Sequence, residues 1–393
     1  MKILHIMGWY VPGMGYQENY LPAAQKKLNN EVVILTSNQI PKHGGFNNTD
    51  AFNKIRNLKI GVSYDHEVKI IRLPSIYFKN QIFFLGLESE IDKFMPDAIH
   101  AHGTTMISTI QVLHIKNKKD HFKLFIDDHS HSNNFIFYSF IQKLYLKFVN
   151  YIINKNTASI NCFLPVTPSS KNILINKHNF TKGNIVILNL GADRSIFYKS
   201  DLLRRDGRKK FNVREDQKCI IYAGKIDESK EIPCLIGSMV EVVNKIPDAI
   251  LLIVGFGNLN YMDYLNSLVI SYKLTKNIKI IDFISHKELP CLYNAADIGV
   301  WPGDHSITVL EAISAGLPVI VPLDDSAYGV ISELGNLLQY ERGNENSLAI
   351  QIINMLVNDD LRAKISNFND ITGENLLSWD KIAMESLKIY KEY

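Results

Sequence analysis

Residues 301–322, WPGDHSITVLEAISAGLPVIVP, carry one carboxylate inside a mostly apolar segment. The segment predicts a loop, a short helix and a buried strand. Helical spacing places Thr308 and Glu311 on one narrow polar stripe that runs back from the start of the helix. A phosphate could lie against the free amides of Ser306, Ile307 and Thr308, with Glu311 about a turn (~5 Å) farther along.

A carboxylate so close to a phosphate would repel it, so Glu311 should accept hydrogen bonds from neutral hydroxyl groups. The diol of a ribose attached to that phosphate fits this requirement. The purely structural alternative is a capping box, in which Thr308 and Glu311 close the first turn of the helix.

Two lysines and two glycines mark further candidate phosphate contacts. Lys225 and Lys230 in GKIDESKE follow an apolar run, and two ammonium groups there could neutralise a diphosphate. Gly13 and Gly15 in VPGMGYQE precede a predicted helix and would let its backbone approach a ligand closely. The alternatives are a solvated charged loop for the lysines and an ordinary turn for the glycines.

The stretch FIDDHSHSNN also follows an apolar run, and its side chains suit a hydrogen-bond donor, an acid or a substrate clamp. The residues concerned are Asp127, Asp128, His129 and His131. A metal site is not predicted, because nothing fixes a third ligand. His100 and His102 in HAHG end another strand and are interpreted as structural.

These stretches must be positioned by the elements that precede them. Short Val/Ile/Leu runs alternate with helix-length segments in both halves of the chain, which is typical of parallel strands buried on both faces. The polar stretch 199–218 interrupts this alternation and is interpreted as a surface connection. We therefore predict an α/β protein with two doubly wound, Rossmann-like domains that face each other across a cleft. The predicted domains are residues 1–195 and 196–375, followed by a helix over 376–393.

Composition limits the class of protein further. The chain has 393 residues, 46% of them hydrophobic, and a formal net charge of +3, which is too mild to indicate a nucleic-acid partner. Four widely spaced cysteines argue against a disulfide framework and suit a reducing cytoplasm. No run approaches the ~18 apolar residues of a membrane span. In VGFGNLNYMD, Asn260 replaces the third glycine of a dinucleotide fingerprint, which weighs against a nicotinamide cofactor.

Taken in order, these motifs resemble the retaining GT-B glycosyltransferases of family 4, also called glycosyl transferases group 1. GKIDESKE is similar to the family's G-R-x-x-x-x-K-G element, with Lys225 in place of arginine and Glu231 in place of glycine. VGFG, NIKIIDFISHKELPCLYNAADIGVWPG and TVLEAISAGLPVI are similar to successive donor-domain elements, and VPGMGYQE is similar to the glycine-rich loop. The resemblance covers nearly the whole chain and implies transfer of a sugar from a nucleotide-sugar.

The resemblance also implies roles for individual residues. Lys225 and Lys230 would bind the donor diphosphate and stabilise the leaving nucleotide, Gly15 would offer its amide to the same phosphates, and Glu311 would hold the ribose. The base would lie near Phe283 and Ile284. His129 would contact the transferred sugar, with weaker candidates for sugar or acceptor contact in His131, Asp128 and Tyr16.

One position departs from the family pattern. Gly303 stands where the family's E-x7-E pair has its first glutamate, and Asp304 beside it is the candidate substitute. The family implies no essential metal or other cofactor, and the expected donor substrate is a UDP- or GDP-sugar.

The acceptor should be bound by the first domain. The stretch 133–155, NNFIFYSFIQKLYLKFVNYIINK, combines aromatic residues with lysines and could rest on an anionic membrane to reach a lipid-linked glycan. Its alternative is a helix in the core of the domain. We therefore expect a cytoplasmic hexosyltransferase that acts in polysaccharide biosynthesis. With the membrane contact, it would be a peripheral protein at the inner face of the membrane. The rival functions are a nucleotide-sugar epimerase or phosphorylase on the same fold, an NAD-dependent oxidoreductase and a non-catalytic nucleotide-sugar binding protein.

Overall fold

The computed structural model describes residues 1–13, 15–39, 58–130, 139–180, 183–304, 306–323 and 337–393. Within them the strands are β1 (Lys2–Ile6), β2 (Glu31–Ser37), β3 (Gly61–Asp65), β4 (Val68–Leu73), β5 (Ser75–Phe78), β6 (Gln81–Phe84), β7 (Ala98–Ala101), β8 (Lys123–Asp128), β9 (Cys162–Pro165), β10 (Cys219–Ala223), β11 (Ile250–Val254), β12 (Ile278–Ile281), β13 (Ile298–Val300), β14 (Val319–Pro322) and β15 (Leu337–Tyr340). The helices are α1 (Gln17–Lys27), α2 (Leu87–Phe94), α3 (Ile107–Lys118), α4 (Phe140–Lys155), α5 (Pro168–Asn176), α6 (Asp201–Phe211), α7 (Ile232–Lys245), α8 (Leu259–Ser271), α9 (Leu289–Ala295), α10 (Ile307–Ser314), α11 (Glu345–Val357), α12 (Asp359–Asn375) and α13 (Trp379–Glu392).

The chain divides into two compact units. Unit 1 consists of Met1–Asn189 and Trp379–Tyr393, and unit 2 consists of Leu190–Ser378. The sequence placed the corresponding boundaries at 195/196 and 375/376. Helix α13 therefore belongs to the same unit as β1, although nearly the whole chain separates them.

Unit 1 is organised around a sheet whose described strands have the order β3-β4-β2-β1-β7-β8-β9. Neighbouring strands are parallel except for the antiparallel pair β3 and β4, and β5 and β6 form a separate hairpin. The central strand β1 is buried from Ile3 onward, as expected for a strand covered by helices on both faces. The carboxyl ends of β1, β7 and β8 lie side by side, which brings their following residues together.

Unit 2 is organised around a parallel sheet of order β12-β11-β10-β13-β14-β15 in the described residues. Strands CIIYA and ILLIV are buried at every position, so each must have apolar partners on both faces. The order reverses direction between β10 and β13. In open parallel sheets, the carboxyl ends of strands at such a reversal form the usual ligand site.

The prediction of a surface connection over 199–218 is wrong. Helix α6 occupies much of it and packs on α9, with Arg208 only 1% exposed. The guanidinium of Arg208 lies 3.1 Å from the Asp297 carboxylate, which also accepts the amide of Cys219 at 2.7 Å. The polar sequence concealed the helix because one of its three buried residues is a charged arginine, and burial of an arginine requires a distant partner.

Two other expectations change in the structure. The run NIVILNLG contains no strand among the described residues and contributes only one bridge, between Ile185 and Phe163. Helix α4 is not a core helix, because only Val149 and Ile153 of its sixteen residues are buried. In the described part of the chain, no helix combines the length and apolar character that crossing a bilayer requires.

Candidate functional site

The loops that follow β10 and β13 in unit 2 are held together by a small set of hydrogen bonds. The carbonyl oxygen of Ala223 accepts from the indole of Trp301 and from the hydroxyl of Thr308, each at 2.9 Å. Tyr340 donates to the carbonyl of Pro302 at 2.8 Å. These bonds fix the start of α10 beside the strand end that leads to the candidate lysines.

The start of α10 has no capping side chain in the described part of the chain. The N-cap residue is Ser306, whose hydroxyl lies 2.6 Å from that of Thr308 and makes no bond to a helix amide. Thr308 is the second residue of the helix and its hydroxyl is directed to Ala223. The capping-box alternative for Thr308 and Glu311 is therefore wrong, because neither side chain closes the first turn.

Both candidate lysines lie in the turn between β10 and α7. The ammonium of Lys225, half exposed, lies 2.8 Å from the carboxylate of Asp227. The ammonium of Lys230 donates to the carbonyl oxygen of Asp304 at 3.0 Å. Burial lowers the pKa of Lys230, and the charges of Asp304 and Asp227 oppose that shift. Lys225 is thus turned toward an acid of its own turn, and Lys230 toward a carbonyl oxygen of the loop after β13.

Gly303 lies against the backbone of the lysine turn. A Cβ atom at this position would be 2.3 Å from the carbonyl oxygen of Ser229 and 2.6 Å from the Cα of Lys230. The amide of Asp304 donates to the same Ser229 carbonyl at 2.9 Å. The structure therefore leaves no room for the glutamate that the family pattern has at position 303.

Arg342, just after β15, joins this site and was not singled out from the sequence. Its guanidinium donates to the Asp304 carboxylate at 2.8 Å and to the Glu231 carboxylate at 2.6 Å. Glu231 has φ +49°, the left-handed conformation that favours the glycine found there in the family. The only sign of Arg342 in the sequence was the glutamate at position 231 in place of the family's glycine. That departure did not indicate a partner more than 100 residues away.

Glu311 is 2% exposed and both of its carboxylate oxygens have protein partners. Oε1 lies 2.7 Å from His286 Nε2, and Oε2 accepts the hydroxyl of Tyr293 at 3.1 Å. Burial raises the pKa of Glu311, and the hydrogen bonds from His286 and Tyr293 work against that shift. The sequence did not predict either partner, because neither follows Glu311 at helical spacing.

The predicted base contacts lie on the loop after β12. The ring of Phe283 is 58% exposed and packs edge-on against Phe256, with ring centroids 5.9 Å apart. Ile284 is half-buried. An exposed aromatic ring that is held by a second ring is suited to stacking on a planar ligand.

The glycines of VGFG have a packing explanation in unit 2. A Cβ on Gly257 would lie 2.3 Å from the carbonyl oxygen of Ile226, and one on Gly255 would lie 1.8 Å from that of Gly224. The two turns after β10 and β11 therefore approach each other backbone to backbone. Their glycine spacing needs no dinucleotide to explain it.

The glycine-rich loop of unit 1 precedes α1 as predicted. Gly13 and Gly15 have φ of +72° and +77°, which glycine adopts without strain. Tyr16, the N-cap residue, is 42% exposed. The side-chain amide of Gln17 is 1% exposed, and neither of its polar atoms has a hydrogen-bond partner among the described residues.

The carboxyl end of β8 brings Asp127 and His129 together. His129 Nε2 lies 3.5 Å from Asp127 Oδ2, and its ring is partly exposed while Asp127 is fully buried. The Asp128 carboxylate accepts the amide of Ser130 at 2.9 Å. The weaker candidate His131 lies outside the described residues.

Two α/β units, each with a mostly parallel sheet and candidate ligand residues at the carboxyl ends of its central strands, have the GT-B fold of glycosyltransferases. The solved structure of Anabaena HepE in complex with UDP and glucose supports this fold. It superposes with a TM-score of 0.72, at 16% identity over 100% of both chains.

Residues 204–370 match the family model described as Glycosyl transferases group 1. An uncharacterised glycosyltransferase of Methanocaldococcus jannaschii is 29% identical over 187 residues, so the match spans 47% of each chain, about half their length. The alpha-monoglucosyldiacylglycerol synthase of Acholeplasma laidlawii is 23% identical over 79% of this chain and 81% of its own.

Proposed function

We propose that this protein is a retaining glycosyltransferase that moves a hexose-type sugar from a nucleotide-sugar to a glycan or lipid-linked acceptor. The observation that carries the proposal is the uncapped start of α10 beside two lysines, Lys225 and Lys230, at the reversal point of the unit 2 sheet. A helix start and two ammonium groups together suit a diphosphate. The match of residues 204–370 to the Glycosyl transferases group 1 model supports the same activity.

In this proposal the diphosphate is the leaving group. As the glycosidic bond breaks, negative charge develops on its oxygens, and Lys225, Lys230 and the amides at the start of α10 stabilise that charge. The acceptor hydroxyl attacks from the same face of the sugar, so its configuration is retained. A UDP- or GDP-sugar is the proposed donor, and the relative solved with UDP supports the first of these.

Glu311 is the proposed ribose ligand. Binding of the nucleotide must then displace His286 from the Glu311 carboxylate, or the ribose and His286 must both contact that carboxylate. The bond between His286 and Glu311 keeps a buried carboxylate paired before the nucleotide arrives. A ribose hydroxyl can replace that contact, because it donates to a carboxylate as an imidazole does.

The proposal is tested by titrating the protein with UDP, GDP, ADP and CMP sugars and assaying the sugar products. Lys230→Ala should lower kcat on the best donor by about 100-fold or more, since it removes a charge from the leaving group. Lys276→Ala, which changes an exposed lysine of the same unit, is the matched control. Tight nucleotide binding without turnover on any donor would instead favour the non-catalytic binding protein, to which Gly303 lends support.

For the acceptor side, helix α4 of unit 1 supports contact with a lipid surface. It exposes a row of large apolar side chains, each at least half exposed: Phe140, Ile141, Leu144, Phe148 and Tyr151. Lys143 and Lys147 lie between them. Apolar residues flanked by lysines suit an anionic bilayer, and one relative is named as a glycolipid synthase.

Sedimentation with vesicles measures this contact. Phe148→Ser should reduce binding to vesicles that contain phosphatidylglycerol, and Phe368→Ser, an exposed phenylalanine of unit 2, should not. Equal binding of both variants, or no binding by the unchanged protein, would refute the membrane contact while leaving sugar transfer untouched.

A further inference from the structure

Three buried imidazoles and one carboxylate form a group joined by close polar contacts in unit 1 that the proposed function does not use. We call it the histidine cluster, and it consists of His5, His100, His102 and Asp127, which are 0 to 6% exposed. The residues stand at the carboxyl ends of the adjacent strands β1, β7 and β8 or just beyond them. Burial of four titratable groups in one place costs free energy unless each N–H faces an acceptor.

The distances give each imidazole nitrogen of the cluster a partner. His102 Nδ1 and His100 Nε2 lie 2.6 and 3.2 Å from Asp127 Oδ2. His5 Nδ1 lies 3.0 Å from His102 Nε2, and His5 Nε2 lies 2.7 Å from the side-chain amide of Gln25. The Tyr390 hydroxyl lies 2.6 Å from His100 Nδ1.

The position of the proton on each imidazole can be assigned in turn, starting from the Asp127 carboxylate. An ionised Asp127 only accepts, so His102 Nδ1 and His100 Nε2 must each carry a proton. A neutral His102 then has a lone pair at Nε2, which requires the proton of His5 at Nδ1. His5 Nε2 becomes an acceptor, so the Gln25 amide must turn its nitrogen to His5 and its oxygen to the Ser386 hydroxyl. That hydroxyl, which accepts from the Gln25 nitrogen at 2.9 Å and donates to the Ala383 carbonyl, must then rotate to donate to Gln25.

A metal ion does not suit the same nitrogens. The rings of His100 and His102 are parallel to within 2° with centroids 4.5 Å apart. An imidazole lone pair lies in the plane of its ring, so two parallel, stacked rings cannot aim at one ion. A chain of close polar contacts that ends on Asp127 accounts for the arrangement.

We propose that the histidine cluster is a positioning device: its N–H groups converge on Asp127, which stays ionised and holds His129 as an imidazolium. His129 then donates a hydrogen bond to an oxygen of the bound sugar or phosphate and is unable to act as a general base. Only this last role, contact with a substrate oxygen, rests on the proposed function. His5, His100, His102 and Asp127 are positioning residues.

The charges around His129 agree with this assignment. Burial lowers the pKa of His129, but Asp127, with smaller contributions from Glu18 and Asp128, more than offsets it and raises the pKa to about 9. Burial lowers the pKa of His100 to about 4, so that ring is neutral. Because the folded pKa of His129 is raised, its pairing with Asp127 is complete below pH 6.5 and is lost as the pH rises through 9.

The test is a titration of the full-length protein, labelled with 15N at histidine, from pH 5 to 10.5 without substrate. His129, identified by the loss of its signals in His129→Gln, should titrate near pH 9. His5 should remain neutral with the proton on Nδ1, and His100 neutral with the proton on Nε2. Titration of His129 near 6.5, a doubly protonated cluster at pH 7, or spectra changed by Zn²⁺ or EDTA would each overturn the proposal.

Asp127→Asn extends the test to catalysis. It should lower the pKa of His129 from about 9 toward the ordinary value of 6.5 and move the alkaline limb of kcat/KM in the same direction. Asp128→Asn, which changes the adjacent carboxylate, should shift the pKa of His129 by well under one unit. If Asp127→Asn fails to fold, the titration of the unchanged protein still tests the protonation of His129. If that titration gives the expected spectra but the protein transfers no sugar, the proposed function is refuted and the role of the histidine cluster is not.

Discussion

Replacement of Gly303 by alanine is the sharpest perturbation of the candidate site, because it adds one carbon where the backbone of the lysine turn already lies. That carbon would be 2.3 Å from the Ser229 carbonyl oxygen, whereas real Cβ contacts essentially never fall below 3.0 Å. The two loops must therefore separate by at least ~0.7 Å, and the backbone of Lys230, 2.6 Å from the added carbon, moves with them.

Two separate effects should follow from Gly303→Ala. Overpacking against backbone should lower the free energy of unfolding by about 1–3 kcal/mol. Displacement of Lys230 by the better part of an ångström should lower kcat/KM for the best donor by about 100-fold, since misplacement on that scale is enough to spoil a reacting geometry. Gly303→Glu, which restores the family pattern, should be worse than alanine.

The assays are urea denaturation, calorimetric titration with the nucleotide and initial rates with its sugar donor. The matched control is Gly237→Ala in helix α7, where the atoms nearest the added carbon belong to the flexible end of the exposed Glu345 side chain. Because that carboxylate can move away, the control should bind nucleotide normally. If Gly303→Ala has the stability and the nucleotide affinity of the unchanged protein, the tight contact is not real and the argument fails.

Two further substitutions test the supporting contacts of unit 2. Asp297→Asn leaves the buried guanidinium of Arg208 without its counter-charge and should lower the free energy of unfolding by about 3–5 kcal/mol in urea, while a loss below about 1 kcal/mol would show that the pair is not buried. Tyr293→Phe removes the hydroxyl that donates to Glu311 and should lower the free energy of unfolding by about 1–3 kcal/mol at pH 7. An unchanged urea midpoint in Tyr293→Phe would mean that His286 alone satisfies the carboxylate.

The strands of both sheets could be predicted from the sequence because a parallel strand buried on both faces must be apolar at nearly every position. KILHI, CIIYA and ILLIV are such runs, and the structure confirms them as β1, β10 and β11. Helix α6 could not be predicted in the same way. One of its buried positions holds Arg208, whose burial depends on Asp297, a residue almost ninety positions away.

The same distinction applies to the candidate site. Lys225, Lys230, Glu311 and His129 were selected because residue type and position after a strand limit what chemistry a side chain can do. Their predicted roles remain predictions. The sequence could not supply the partners that define their state.

What the sequence determined by itself is the alternation of strands and helices and the residues that stand at strand ends, since both follow from local periodicity and turn chemistry. Only the tertiary structure decided that His286 pairs with Glu311, that Arg342 joins Glu231 to Asp304, and that position 303 admits no side chain. Each of these contacts joins segments that are 25 to 111 residues apart in the sequence. Their distances depend on how whole strands and helices pack, which no local pattern encodes.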